Sequence, residues 1–444
     1  MWWALIWVAG CAGAIYLPDC GLGFLKDDYG WIASSRLDGW ASLIRLLQTA
    51  PTQFYRPVVS LSFGVDTALF ALHPLPYGLT NLGLAVASAV AIGMLVRRLG
   101  FASGAALLAA SAWLLNFHGI GVAVLWMSGR TSLLATLFAV CAAMAFSTSR
   151  PIATGVCTLL ALLSKEEPIL LPTVFAVWTL VDRSTLKAAV ERKKVWALVS
   201  AGAVTAVYLV LRWRSGAMTP ATAPDYYHYR LSVVPINALH YLDRSLTLTA
   251  GLLILGALFV RRDRWHLTAL ERSTIVKGIV WLVCGFALTI MIPVRSSLYV
   301  CLPAVGSALI LAAVASAEWR AMERRRPVVI ALLLLSLISV PVHWARNREL
   351  RNEQLLATNV LRVMSNRLTA GPIRRVVVYD TAAEHPSIAD AFGGALPVAL
   401  RLVIGDKAPA DVVVTFEEPG ASRSAPDEVE FMLAGMTVVE RSPR

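Results

Sequence analysis

The segment LTNLGLAVASAVAIGMLV, residues 79–96, runs eighteen positions without a charge and is closed by Arg97 and Arg98. As a helix it would rise about 27 Å, close to the thickness of a bilayer's hydrocarbon core. Working outward, further apolar blocks recur at 131–146, 195–211, 246–260, 278–293, 299–316 and 328–342. The 444-residue chain is 57% hydrophobic and 15% charged. A soluble globular protein carries roughly 25% charged residues. The sequence therefore reads as an all-α polytopic membrane protein.

The first apolar block, Met1 to Leu17, has no basic leader and no A-x-A-type cleavage site, so it reads as a retained first span. Cys11, Cys141, Cys157, Cys284 and Cys301 lie in apolar segments and Cys20 has no evident partner, which fits small packing residues rather than a disulfide framework. Net charge is +12, but residues 1–342 hold +13 of it and residues 343–444 hold −1. The basic excess belongs to the membrane part, which excludes a nucleic-acid partner and instead reports orientation.

Spans are predicted near 1–17, 79–96, 102–117, 131–146, 151–163, 168–181, 195–211, 247–260, 278–293, 299–316 and 328–342. That makes about eleven, or nine if the short pair 151–181 re-enters instead of crossing. With the N-terminus cytoplasmic, the short inner connections carry 17 Lys and Arg in 51 residues, and the outer ones 11 in 118. This is the asymmetry expected of an inner (plasma) membrane protein, with Lys193 and Lys194 inside and the C-terminus periplasmic.

Two outer loops are long. Residues 18–78 contain amphipathic stretches such as Trp40 to Leu47, suited to helices along the membrane surface. Residues 212–246 carry Asp225-Tyr226-Tyr227-His228-Tyr229-Arg230, which fits an interfacial aromatic belt. The chain then divides into a membrane domain, 1–342, and a small extracytoplasmic α/β domain, 343–444. In the latter, 346–368 reads as an amphipathic helix, Ile373 to Tyr379 and Asp411 to Phe416 as strands, and Ala389 to Val398 as a helix between them.

Ionisable groups at a membrane's edge are costly and need a reason to be there. Five places stand out. Asp27 and Asp28, just past the first span, suit a general base for a hydroxyl and could help hold a divalent cation near a phosphate; an acidic helix N-cap would use the same residues. Arg56, fixed by Pro57, offers a planar fork for phosphate, and so does an arginine snorkelling to headgroups. Arg130 closes Trp126-Met127-Ser128-Gly129-Arg130. Lys165, Glu166 and Glu167 form a charged run between two apolar stretches, explicable by substrate contact or by pairing within the run. Arg295 opens Arg295-Ser296-Ser297-Leu298-Tyr299 in a short outer turn. All five fall on the outer side, where they could form one periplasmic site.

At these residues the chain resembles the GT-C glycosyltransferases, in the branch of protein O-mannosyltransferases, aminoarabinose transferases and tetratricopeptide-repeat O-mannosyltransferases. The likeness runs through Lys26 to Tyr29, Tyr55-Arg56-Pro57 with His73 to Gly78, Trp126 to Leu134, Leu163 to Glu166 and, more weakly, Arg295 to Pro303, covering roughly 20–310. It implies inverting transfer of a sugar from a polyprenyl-phosphate carrier to a protein, lipid or glycan acceptor. Asp27 or Asp28 would be the base, with Asp28 favoured. Arg56, Arg130, Lys165, Glu166, Arg295 and Tyr299 would contact the substrate. Members often carry another carboxylate before the WxSGR-like stretch. Here Asn116 to Val122 has none, which shifts any metal role toward His118. A lipid-linked sugar transporter and an inactive glycan-binding relative are the alternatives.

Overall fold

A computed structural model describes the chain except residues 1, 49–53, 184–187, 219–226, 323–325, 372, 381–385, 417–426 and 442–444. Asp225 and Tyr226 of the aromatic cluster therefore lie outside the described residues.

The molecule is mostly helical with a small C-terminal sheet. Four helical stretches are long and apolar enough to cross a membrane: Pro74–Arg98, Met127–Ser147, Val190–Arg214 and Ser297–Ala321. Shorter apolar helices include Ile6–Asp19, Ser103–Leu114 and Pro151–Leu162. In chain order the helices are α1 (Trp2–Tyr16), α2 (Asp27–Ser34), α3 (Trp40–Gln48), α4 (Pro57–Phe70), α5 (Pro74–Arg98), α6 (Ser103–Leu114), α7 (Ile120–Leu125) and α8 (Arg130–Ser147). They continue with α9 (Pro151–Leu162), α10 (Leu171–Asp182), α11 (Ala188–Arg214), α12 (Val234–Ala257), α13 (Ala269–Phe286), α14 (Ala304–Ala321) and α15 (Arg326–Leu368).

The bundle packs as membrane helices do, through small residues that let backbones approach. At the crossing of α13 and α14, a Cβ on Gly278 would lie 2.7 Å from the Gly306 carbonyl oxygen, so neither position takes a larger residue. On α11, Val195, Trp196, Val199, Val207, Val210 and Trp213 are exposed. An apolar face of that extent is out of place in water and natural against lipid. Where α10, α11 and α13 meet, Asp182 pairs with Lys194 at 3.0 Å and with Lys277 at 2.6 Å.

The sequence reading separated 328–342 from 346–368. The two are one continuous helix, α15, which runs through Pro341. A proline is tolerated in such a helix because packing and neighbouring groups satisfy the backbone it frees. The division at 342/343 thus falls inside a helix. The end of α15 shares one hydrophobic core with the first loop and the sheet: Phe24, Tyr29, Phe63, Leu356, Val376, Phe392 and Phe431 all belong to it.

The sheet has strand order β2-β1-β3-β4, with β1 (Arg375–Tyr379) parallel to both β2 (Asp411–Thr415) and β3 (Glu428–Ala434), and β4 (Thr437–Glu440) antiparallel to β3. The first two strands were expected; the β3–β4 hairpin was not. The single helix expected at 389–398 is two, α16 (Ile388–Phe392) and α17 (Leu396–Ile404). Gly393 ends α16 at φ 53°, a left-handed conformation that glycine adopts without strain.

Candidate functional site

The site forms where the start of α2 meets the start of α4 and the turn between α9 and α10. Pro57 at the first position of α4 sets the backbone, and the Val58 amide donates to the Leu163 carbonyl at 3.2 Å. That tie brings Arg56 against Glu166. The Arg56 guanidinium donates from Nη2 to both Glu166 oxygens, at 2.9 and 3.0 Å, and from Nε at 3.2 Å, while its other face lies 4.2 Å from the Phe54 ring centroid. Arg212 reaches the same carboxylate at 3.6 Å. Burial alone would raise the Glu166 pKa; Arg56 and Arg212 overcome it and hold the carboxyl at about 2.

Next to this pair, Lys165 is buried, 2.6 Å from Glu167, and donates to the Ser132 hydroxyl at 2.8 Å. Its ammonium stands 4.9 Å from the Tyr299 ring centroid. The pairing anticipated within this run thus exists between Lys165 and Glu167, while Glu166 turns the other way toward Arg56.

The two aspartates have different surroundings. Asp28 is fully buried. One oxygen accepts from the Leu25 amide at 2.8 Å, and the other from the Ser128 amide at 2.7 Å and the Ser128 hydroxyl at 2.5 Å. Burial pushes its carboxyl up to about 7, against those hydrogen bonds. Asp27 is exposed and has neither a hydrogen bond nor an ion pair among the described residues. Its carboxyl is raised from the ordinary value by the surrounding protein, with the fields of Arg56 and then Lys26 pulling the other way. Tyr227, edge-on to Phe54 at 5.7 Å, feels Arg56, Asp27 and Glu166. Sequence reading had placed Tyr227 in an interfacial belt.

Arg130 is held by the protein itself. It is fully buried and donates to the Asn81 side chain at 2.9 Å, the Ser62 hydroxyl at 3.1 Å and the Tyr77 carbonyl at 3.0 Å, and it pairs with Asp66 at 2.6 Å. It braces α4, α5 and α8 against one another. Neighbouring Gly129 is equally constrained, since a Cβ there would lie 2.5 Å from the Ala123 carbonyl oxygen. Arg295 is exposed at the flank of α12, donating to the Asn237 side chain and meeting the His240 ring, each at 3.0 Å. Among the described residues its side chain has no hydrogen bond or ion pair with the Arg56–Glu166 or Lys165–Glu167 pairs. Asp66 was missed by sequence reading; its only signal was a lone acid inside an apolar helix.

A divalent cation does not fit this donor set. Both Asp28 oxygens are occupied by hydrogen-bond donors, and Asp27 alone offers one carboxylate. At His118, burial and the fields of Arg346 and Arg244 outweigh that of Asp243 and disfavour a further positive charge. Among the described residues no group of three His, Cys, Asp or Glu side chains is arranged to hold a metal. No family model, curated protein or solved structure matches the chain.

Proposed function

We propose that the protein is a membrane glycosyltransferase of GT-C type, which moves a sugar from a polyprenyl-phosphate donor to an extracytoplasmic hydroxyl. The observation that carries this reading is the exposed Asp27 carboxylate, set in the field of Arg56 and beside Tyr227, which also feels Glu166. A base with no partner next to fixed cations suits a reaction in which a proton leaves one oxygen while negative charge gathers on another. In the proposed step the acceptor oxygen attacks the anomeric carbon from the face opposite the carrier. The bond from that carbon to the carrier's phosphate oxygen breaks, its electron pair leaves with polyprenyl phosphate, and Asp27 takes the acceptor's proton. Inversion follows from the single displacement. Arg56 and Lys165 would stabilise the departing phosphate, and Tyr227 and Tyr299 would border the sugar.

In this reading the chain crosses an inner membrane about eleven times with its N-terminus cytoplasmic. The cluster and the C-terminal sheet then face the periplasm, and α3 lies along the surface. Exposed Trp40, Ile44 and Leu47 on α3 support that placement. The deciding experiment is transfer of labelled sugar from synthetic polyprenyl-phosphate donors by purified protein. Product formed by wild type and lost in Asp27→Asn supports the reading; no transfer from any such donor sinks it.

A further inference from the structure

A second feature stands apart from the Asp27–Arg56 cluster. A groove of about 790 Å³ lies between α1, α6, α12, α14 and α15. Its walls include Trp7, Leu108, Leu115, Leu248, Trp319 and Val342, and they follow α6 along its whole length, from Ala102 to Phe117. Twelve helical residues rise about 18 Å, so the groove is long in the direction a lipid chain would run. Its size is within the range of ligand pockets, roughly 300–1,000 Å³.

One end of this apolar groove is cationic. Arg244 is four residues before Leu248 on α12, and Arg346 four residues after Val342 on α15. At that spacing each arginine shares a helix face with a wall residue, and both stand toward the end marked by Leu115 and Phe117. Arg346 lies 4.4 Å from the Phe117 ring centroid, and both arginines act on His118, the next residue. One terminal nitrogen of Arg244 is buried without a hydrogen-bond partner. Among the described residues neither arginine has an ion pair. Asp243, the adjacent acid, is exposed and accepts from the Thr247 hydroxyl at 2.6 Å. Asp243 acts on His118 with the opposite sign, so this end of the channel holds two guanidinium groups against one exposed carboxylate, an excess of positive charge that an anion on an apolar tail would satisfy.

We propose that this groove binds an anionic phospholipid of the surrounding bilayer, with its chains along α6 and its phosphate held by Arg244 and Arg346. The inference rests on the membrane reading and is independent of sugar transfer. On that membrane reading, a bilayer phospholipid is the amphiphile always present beside these helices, and the groove's apolar walls with a cationic end match its two parts.

The test is native mass spectrometry of full-length protein from nanodiscs of equal phosphatidylglycerol and phosphatidylcholine, with polyprenyl phosphate added in a third arm. Wild type should retain phosphatidylglycerol over phosphatidylcholine roughly ten- to thirtyfold, as expected for two arginine contacts. Arg244→Gln with Arg346→Gln should erase that preference, Arg346→Lys should keep it, and Leu108→Trp should reduce retention of both phospholipids alike. The proposal is overturned by equal retention in wild type, by an undiminished preference in the double variant, by retention untouched in Leu108→Trp, or by polyprenyl phosphate displacing the phospholipid. None of these readouts depends on enzyme turnover, so the two readings fail separately.

Discussion

The Asp28 carboxylate accepts hydrogen bonds from both the amide and the hydroxyl of Ser128, at 2.7 and 2.5 Å, across a hundred positions of sequence. This contact pins the start of the first loop to the turn before α8, and it leaves Asp28 without an oxygen to spare. Asp28 positions; Asp27 is the group that faces outward.

Asp28→Asn should therefore act on stability. An amide nitrogen cannot accept, so at least one buried donor, Leu25 N–H or the Ser128 pair, loses its partner. Such a loss costs about 1–3 kcal/mol. The expected result is a lowered thermal midpoint in detergent for Asp28→Asn and an unchanged one for Asp27→Asn. Equal midpoints for both would contradict this division of labour.

Arg130 and Asp66 give a sharper stability test. Removing one member of a buried pair leaves an uncompensated charge and costs about 3–5 kcal/mol, whereas replacing both by apolar groups can be nearly neutral. Arg130→Met alone should sharply reduce folded yield, and Arg130→Met with Asp66→Leu should recover most of it. If the single variant folds normally and loses only activity, Arg130 touches substrate after all.

What could be read from the sequence follows from which physics acts locally. Spans such as 79–96 and 299–316 announce themselves because a bilayer demands long uncharged runs, and α5 and α14 lie there. The turn holding Lys165, Glu166 and Glu167 was visible because charges among apolar blocks are conspicuous. Partner choice was not visible. Nothing in the local sequence says that Glu166 turns to Arg56, 110 positions away, while Glu167 turns to Lys165. Arg130 reads like any interfacial arginine until α4 brings Asp66 beside it. The β3–β4 hairpin escaped because Glu428 and Glu430 break up its apolar run, although Val429, Phe431 and Leu433 alternate into the core.

Orientation has its own test. A reporter active only outside the cytoplasm should be active when fused after Arg444 and silent at Lys193. The opposite pattern would place the Asp27–Arg56 cluster in the cytosol, out of reach of an extracytoplasmic acceptor.

The last prediction joins Asp27 to Arg56 through pH. A general base must be ionised, so turnover falls as pH drops through its pKa. Protein packed around the rim of Asp27 thins the water that would solvate its charge and so raises the carboxyl, although the side chain itself reaches solvent, while Arg56 and then Lys26 partly offset that rise. The acid limb of kcat/KM should accordingly lie above the ordinary aspartate value of about 3.9. Removing the larger offsetting charge must move it further up: Arg56→Gln should shift the limb to higher pH, and Arg56→Lys, which keeps the charge, should shift it little. Both variants lose the two-pronged grip on Glu166, so both should be slower, and only the direction of the limb distinguishes charge from geometry. Asp27→Asn should abolish the limb along with about 10²–10⁴-fold of the rate. A limb that stays in place in Arg56→Gln would mean that the titrating base is not Asp27.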